Sequence, residues 1–149
     1  EWESSRDPYL QSILKMMDKP DVKEMIGKGS AAKEKGDQEL YDNTRNQVSD
    51  SCSYVINELN KIIPPEELSI FHRKVVQFKE NEKEFFLVSL DGNKEKMSFY
   101  YLKILQSNIA QYKELKNIYV LHGAPQEEID EISNAIEELY KSIAETTEE

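Results

Sequence analysis

Two histidines, one cysteine and a scatter of glutamates are the residues of this chain that could do chemistry, and their spacing narrows what that chemistry could be. A carboxylate-bridged di-iron site in a helical protein needs a Glu-x-x-His pair on each of two helices and further glutamates projecting inward. His72 follows Glu66 and Glu67 at offsets of six and five, and His122 follows Tyr119 at three. Neither histidine therefore has a glutamate one turn before it. Zinc would want a cluster of Cys and His ligands, which a single Cys52 cannot seed. A catalytic histidine needs an orienting partner and a nucleophile within reach, and none can be named for His72 or His122. The glycines are single and dispersed, with no phosphate-cradling loop. No catalytic, cofactor-binding or metal-ligating residue is assigned, no cofactor is expected, and the chain is expected not to be an enzyme.

Each of these residues has a structural role that its position explains. His72 lies at the edge of an apolar stripe, where a partly buried ring would hydrogen-bond to a neighbouring helix. His122 falls in the last turn of a helix, where the dipole favours a cation. Cys52 lies on a stripe and reads as a small buried hydrophobe. Glu82 interrupts a stripe between Phe78 and Phe85; it is expected to reach solvent, with Lys103 across the hairpin as the alternative partner. Phe85-Phe86 and Phe99-Tyr100-Tyr101 flank the turn at Asp91, so a hairpin brings them to one end, and Tyr112 and Tyr119 continue the series. Core packing is the simpler reading of these rings. An aromatic-lined cavity for an apolar or cyclic ligand is the functional one. Phe86 and Tyr100 fall off the stripe and are expected to be exposed, marking a contact surface.

The elements that position these residues follow from apolar spacing. Residues Tyr41, Thr44, Val48, Cys52, Val55, Leu59 and Ile62 alternate in steps of three and four. Leu68, Phe71, Val75 and Phe78 do the same, with Phe85 two turns further on and Leu90 five residues after it. The spacing of three and four holds again for Met97, Tyr101, Leu105, Ile109, Tyr112, Leu115 and Tyr119, and for Ile129, Ile132, Ile136, Leu139 and Ile143. Each run puts one apolar stripe on a helix that must bury it against a neighbour. Pro64-Pro65, Asp91-Gly92-Asn93 and Gly123 to Pro125 separate them. The spacing predicts helices over 30–63, 65–91, 94–122 and 125–145. Over 1–29 it predicts an N-terminal helical segment: Asp7-Pro8 opens a helix that stops before Pro20, and Gly27-Lys28-Gly29 breaks the chain. Short connections make consecutive helices antiparallel. The fold class is all-α, an antiparallel up-down four-helix bundle with an additional short N-terminal helix, in one domain over 1–149. Ile136 and Phe78 are expected in its core.

At 149 residues the chain is large enough for one core. No run of about 20 apolar residues is present to cross a membrane. The net charge of −10 is unevenly placed. From Ala124 to Glu149 nine acidic residues stand against Lys141 alone, a net of −8, whereas Gly92 to Gly123 carries five lysines and two glutamates, a net of +3. Opposite signs suit neighbouring helices, although exposed pairs contribute only about 0–1 kcal/mol each. A negative field without a concentrated basic face excludes nucleic acid as the expected partner.

The stretch from Glu58 to Val76 (Glu58-Leu59-Asn60-Lys61-Ile62-Ile63-Pro64-Pro65-Glu66-Glu67-Leu68-Ser69-Ile70-Phe71-His72-Arg73-Lys74-Val75-Val76) resembles the joint between two long helices in small prokaryotic exported proteins and lipoproteins of unassigned function. The shared features are a Leu-x-x-Ile-x-Pro-Pro hinge, then an apolar residue followed by His one turn into the next helix, then two aliphatics. This resemblance spans the hinge and hairpin, about a third of the chain. It implies a helical bundle outside the cytoplasm, tethered near a membrane, and no reaction. The lipid-bearing cysteine with which such proteins begin is not in this chain. The sequence starts at Glu1-Trp2 and not at Met, so residues upstream are expected, either a leader removed by processing, with a tether as one form of it, or a stretch simply left out of this sequence. The expected function is a non-enzymatic binding or interaction module of the cell envelope, partnered by a protein or a small apolar ligand. The alternative is a cytoplasmic helical adaptor that oligomerises through an exposed stripe.

Overall fold

The computed structural model describes residues 7–148. Among them are six α-helices and no strand: α1 (Asp7–Met17), α2 (Lys23–Lys35), α3 (Gln38–Lys61), α4 (Ser69–Asp91), α5 (Lys94–Leu121) and α6 (Gln126–Glu148), with a 3₁₀ turn over Glu66–Leu68 ahead of α4. The fold is all-α, as the periodicity predicts. The stretch expected ahead of Glu1-Trp2 falls outside the described residues.

Helix ends follow from local chemistry. Asp37 opens α3 and its carboxylate accepts the Leu40 amide at 3.1 Å; Asn93 opens α5 and accepts the Lys96 amide at 3.0 Å. Each satisfies a backbone donor that the first turn leaves unpaired. Pro64 and Pro65 end α3 and admit only the tight turn before α4.

Buried residues at the two ends of α3 and α4 show how these helices pair. Val48 and Cys52 of α3 share a cluster with Leu87 and Leu90 of α4, while Val55 and Leu59 share another with Phe71 and Val75. The start of one helix thus lies against the end of the other. α5 packs on α4 and α6 packs on α5. The α3 stripe is buried from Tyr41 to Leu59 as its spacing predicts. Among the described side chains of α6 only Ile132 is fully buried, and Ile136, expected in the core, is half-covered; Phe78 is buried.

The N-terminal region corrects the sequence reading. In place of one helix over 30–63 and one short helix before it, the chain forms two helices before α3, and residues 30–35 belong to α2. Gly27 and Gly29 do not break α2; the break falls at Gly36, whose φ of 77° is left-handed. Gly29 serves packing instead. A Cβ built there would lie 2.4 Å from Leu90 Cδ2 and 3.2 Å from Thr44 Cγ2, so its lack of a side chain lets α2 approach α3 and α4 closely. The last helix also runs further than 125–145, reaching Glu148 within what reads as an acidic tail.

Candidate functional site

The most ligand-like space lies where α1 crosses the α4–α5 pair, a cleft of about 110 Å³. Leu10, Ile13, Leu14 and Met17 of α1 form one wall. Phe71 of α4 forms the floor, with Gln111, Tyr112, Leu115 and Tyr119 of α5 opposite. Two consecutive turns of α1 and two of α5 supply these positions because residues three and four apart share a helix face. The lining is apolar except for the phenols and the Gln111 amide.

Two buried polar contacts hold α1 in place over this cleft. His72 of α4 is buried, with Nε2 at 2.8 Å from the Leu59 carbonyl and Nδ1 at 2.7 Å from the Tyr9 hydroxyl. A carbonyl only accepts, so Nε2 carries the proton, and in the neutral ring Tyr9 donates to the Nδ1 lone pair. This is the hydrogen-bonded histidine that its sequence position predicts. Both ring nitrogens are engaged within the protein, and burial raises the Tyr9 phenol well above the ordinary tyrosine range.

Lys79, 3% exposed, makes the second contact. Its ammonium donates to the carbonyls of Met17 (2.6 Å) and Lys19 (2.8 Å) and to Glu82 Oε1 (3.1 Å). Three donors meet three acceptors, so the charge caps the C-terminal end of α1 where the dipole favours it. Glu82 therefore corrects both expectations. It neither extends to solvent nor pairs with Lys103, but sits partly buried against Lys79 one turn earlier, and burial raises its carboxyl.

The remaining candidates take structural places. Cys52 is buried, and burial, with Glu82 nearby, pushes its thiol up to about 11, so it stays protonated at neutral pH. His122 follows the last residue of α5, and its Nε2 lies 2.9 Å from Glu67. Among the described residues no group of His, Cys, Asp and Glu comes together that could hold a metal ion, and no helix is long and apolar enough to cross a membrane. A wider, open hollow of about 420 Å³ between α3 and α4 is lined by Asn60, Ile70, Arg73, Lys74, Val76 and Glu80 among others, a surface of charged, polar and aliphatic side chains together.

The aromatic residues divide between two places. Phe85 touches Tyr101 (5.9 Å between ring centroids) and Phe86 (6.2 Å) near the α4–α5 turn, as the hairpin predicts. Phe86 and Tyr100 are half-buried there, while Phe99 and Tyr101 are the exposed rings, which reverses the expectation for that end. Only Tyr112 and Tyr119 of the set reach the cleft, at the opposite end of α5. Lys79, Tyr9 and Gln111 are not singled out by the sequence. Gln111 escaped because α5 is packed on both sides, by α4 and α6, so its buried positions include Ser107 and Gln111 as well as Leu105 and Ile109.

Comparison with known proteins finds no matching family model, no similar curated protein and no similar solved structure.

Proposed function

We propose that the protein is a non-enzymatic binding module that holds a small apolar ligand between α1 and the α4–α5 pair. The observation that carries this reading is the cleft itself, walled by aliphatic, sulfur and aromatic side chains, with α1 fixed over it by buried contacts. Small-molecule sites are mostly apolar clefts with few polar groups, of about 300–1,000 Å³, so a cleft of about 110 Å³ suits a very small ligand. The scaffold reads as an up-down four-helix arrangement of α3 to α6, with α1 and α2 laid upon it. The cell envelope is the proposed location, the chain being the soluble part of an exported or lipid-anchored protein. That part of the proposal rests on the Leu59 to His72 hinge. Titration with toluene, followed by the chemical shifts of Met17 and Leu115, tests the cleft; saturable shifts confined to its walls are expected. Fractionation of source cells with intact-mass measurement tests the location, and an unprocessed cytosolic species would overturn it.

A second reading is favoured by exposed apolar side chains at the two ends of α5. Phe99 (54% exposed), Val120 and Leu121 of α5 present apolar side chains to solvent, as a cytoplasmic adaptor that self-associates would require. Light scattering on the purified chain decides it: a dimer lost on Val120→Lys supports the adaptor, and a monomer removes it.

A further inference from the structure

α1 is joined to the rest of the protein by few and separable contacts. Among its described side chains only Tyr9 and Ile13 are buried, and Leu14 is 62% exposed. Its backbone makes far fewer close approaches than that of α2, which closes on α3 and α4. Residues 18–22 connect α1 to α2 without helix, and Asp18, Lys19 and Asp21 are exposed. Val22 ends that connection in a cluster with Ala32, Val48 and Cys52, whereas Tyr9 and Ile13 belong to the other cluster with Leu59, Phe71 and Val75. The two short helices therefore sit in separate parts of the core, with an exposed link between them.

The polar groups that hold α1 each keep a partner without it. His72 donates from Nε2 to the Leu59 carbonyl and accepts at Nδ1 from Tyr9. When α1 leaves, the first bond remains between α3 and α4, and the place of the Tyr9 hydroxyl opens to water. Lys79 keeps Glu82 at 3.1 Å one turn along α4, while the Met17 and Lys19 carbonyls give way to water. An unpaired polar group left in the interior is what makes breaking a buried contact most costly. Lifting α1 leaves none on α4.

We propose that α1 is a strap that lifts off as a unit about residues 18–22 while α2 to α6 stay folded. Eleven residues are too few to hold a helix alone in water, so lifting and unwinding are one event. His72, Val75 and Lys79 lie three and four residues apart on one face of α4. α1 is tied to the first and the last of them, so its departure uncovers Val75 between them, with Phe71 on the floor of the cleft. The strap does not rest on the cleft being a binding site. A ligand held in the cleft would touch both α1 and α5 and so favour the closed state.

Thiol labelling of the full chain tests this. Val75→Cys places a thiol beneath the strap, and Cys52, buried in the other cluster, is the internal reference. With N-ethylmaleimide in native buffer, read by peptide mass, the introduced thiol is expected to react at least about tenfold faster than Cys52. Its rate should also depend less on urea, because a local opening exposes less surface than unfolding of the whole. Adding Ile132→Ala, which weakens the buried contact of α6, separates the two kinds of opening. α6 stays folded when the strap lifts, so the rate at the introduced thiol should hold within about twofold. A rise there of tenfold or more, or equal rates and equal urea dependence at the two thiols, would show that α1 opens only with the whole protein and overturns the strap. Should Val75→Cys not fold, amide exchange of the unaltered chain decides instead. Amides of α1 that exchange as one group, ahead of those of α3 and α4 and with weaker urea dependence, support the strap; exchange of all of them together overturns it.

Discussion

The two short helices are laid against opposite ends of the α3–α4 pair, and they are held there by opposite means. α2 brings small residues, Gly29 and Ala32, into close approach and buries both. At this end the polar contacts lie near the surface around Asp91, where an ion pair joins α3 to α4 and Lys33 ties α2 to them. The Arg45 guanidinium takes both oxygens of Asp91 (3.0 and 3.2 Å), Tyr41 donates to the same carboxylate, and Lys33 donates to the Asp91 carbonyl. α1 brings large residues, Tyr9 and Ile13, and is held by buried polar groups, His72 and Lys79. Small side chains let backbones close up and leave no gap. Large ones, wedged against α3 and α4, hold α1 off α5 and leave the cleft. The end with the loosest fit is therefore the end with room for a ligand.

The severest way to break this comparison is to hollow out the core beneath each helix. Leu59 and Leu90 are fully buried, one under each end. Leu59→Ala and Leu90→Ala should each lose about 2–5 kcal/mol in urea titrations. The loss at Leu59 should be the smaller, because α1 can settle into the vacated volume while Gly29 already holds α2 in contact. Equal losses would mean that the two ends are equally rigid.

Removing the buried ammonium is the next largest change. Lys79→Met leaves two carbonyls at the end of α1 unpaired and Glu82 without its partner, at a cost of about 2–4 kcal/mol. Amide exchange should quicken across α1 and stay unchanged across α2. Exchange that quickens equally in both would show that the two ends unfold together.

How much of this could be read from the sequence depends on how many faces each helix buries. α3 has one stripe, and all six of its buried residues from Tyr41 to Leu59 are legible at steps of three and four. α5 lies between two helices, so Gln111 is hidden in a pattern that the stripe through Tyr112 does not explain. α6 has the clearest stripe and the shallowest burial, because periodicity reports which side faces inward and not how deeply. Lys79 was illegible for another reason. A lysine in a helical pattern reads as solvated, and only tertiary structure brings the Met17 and Lys19 carbonyls to it. Gly29 was misread as a breaker because sequence alone does not distinguish a glycine that turns the chain from one that admits a neighbour.

That distinction yields a milder test. Gly29→Ala crowds Leu90 and Thr44, and overpacking of about 1–3 kcal/mol outweighs the gain of about 1 kcal/mol in helix propensity. Gly27→Ala on the same helix meets nothing within 4 Å and should stabilise by up to about 1 kcal/mol. Thermal unfolding should therefore shift in opposite directions for two substitutions two residues apart. A shared direction would remove close packing as the way α2 is held.

The smallest effect is the dependence of the two clasps on pH, and it has opposite signs at the two ends. The hydrogen bond from Arg45 holds Asp91 below its ordinary 3.8. Its contribution is complete above 3.8 and is lost as pH falls through the folded value. Burial raises Glu82 above its ordinary 4.5, so the folded state favours its protonated form, and stability from that group declines as pH rises through the folded value. Acid should thus weaken the α2 end and relieve the α1 end. Tyr41, pushed up to about 12 by burial and by Asp91, adds an alkaline limit at the α2 end, since stability present below 10 is lost as pH passes 12. Asp91 is a third exposed, so its share is under about 1 kcal/mol. Melting curves of Asp91→Asn and Glu82→Gln from pH 7 to pH 3 separate the two contributions. The deficit of Asp91→Asn relative to wild type should shrink towards pH 3, while wild type should gain on Glu82→Gln over the same interval. Parallel curves for both variants would mean that neither clasp titrates as its surroundings dictate, and the contrast between an ionic end and a buried polar end would then have no electrostatic basis.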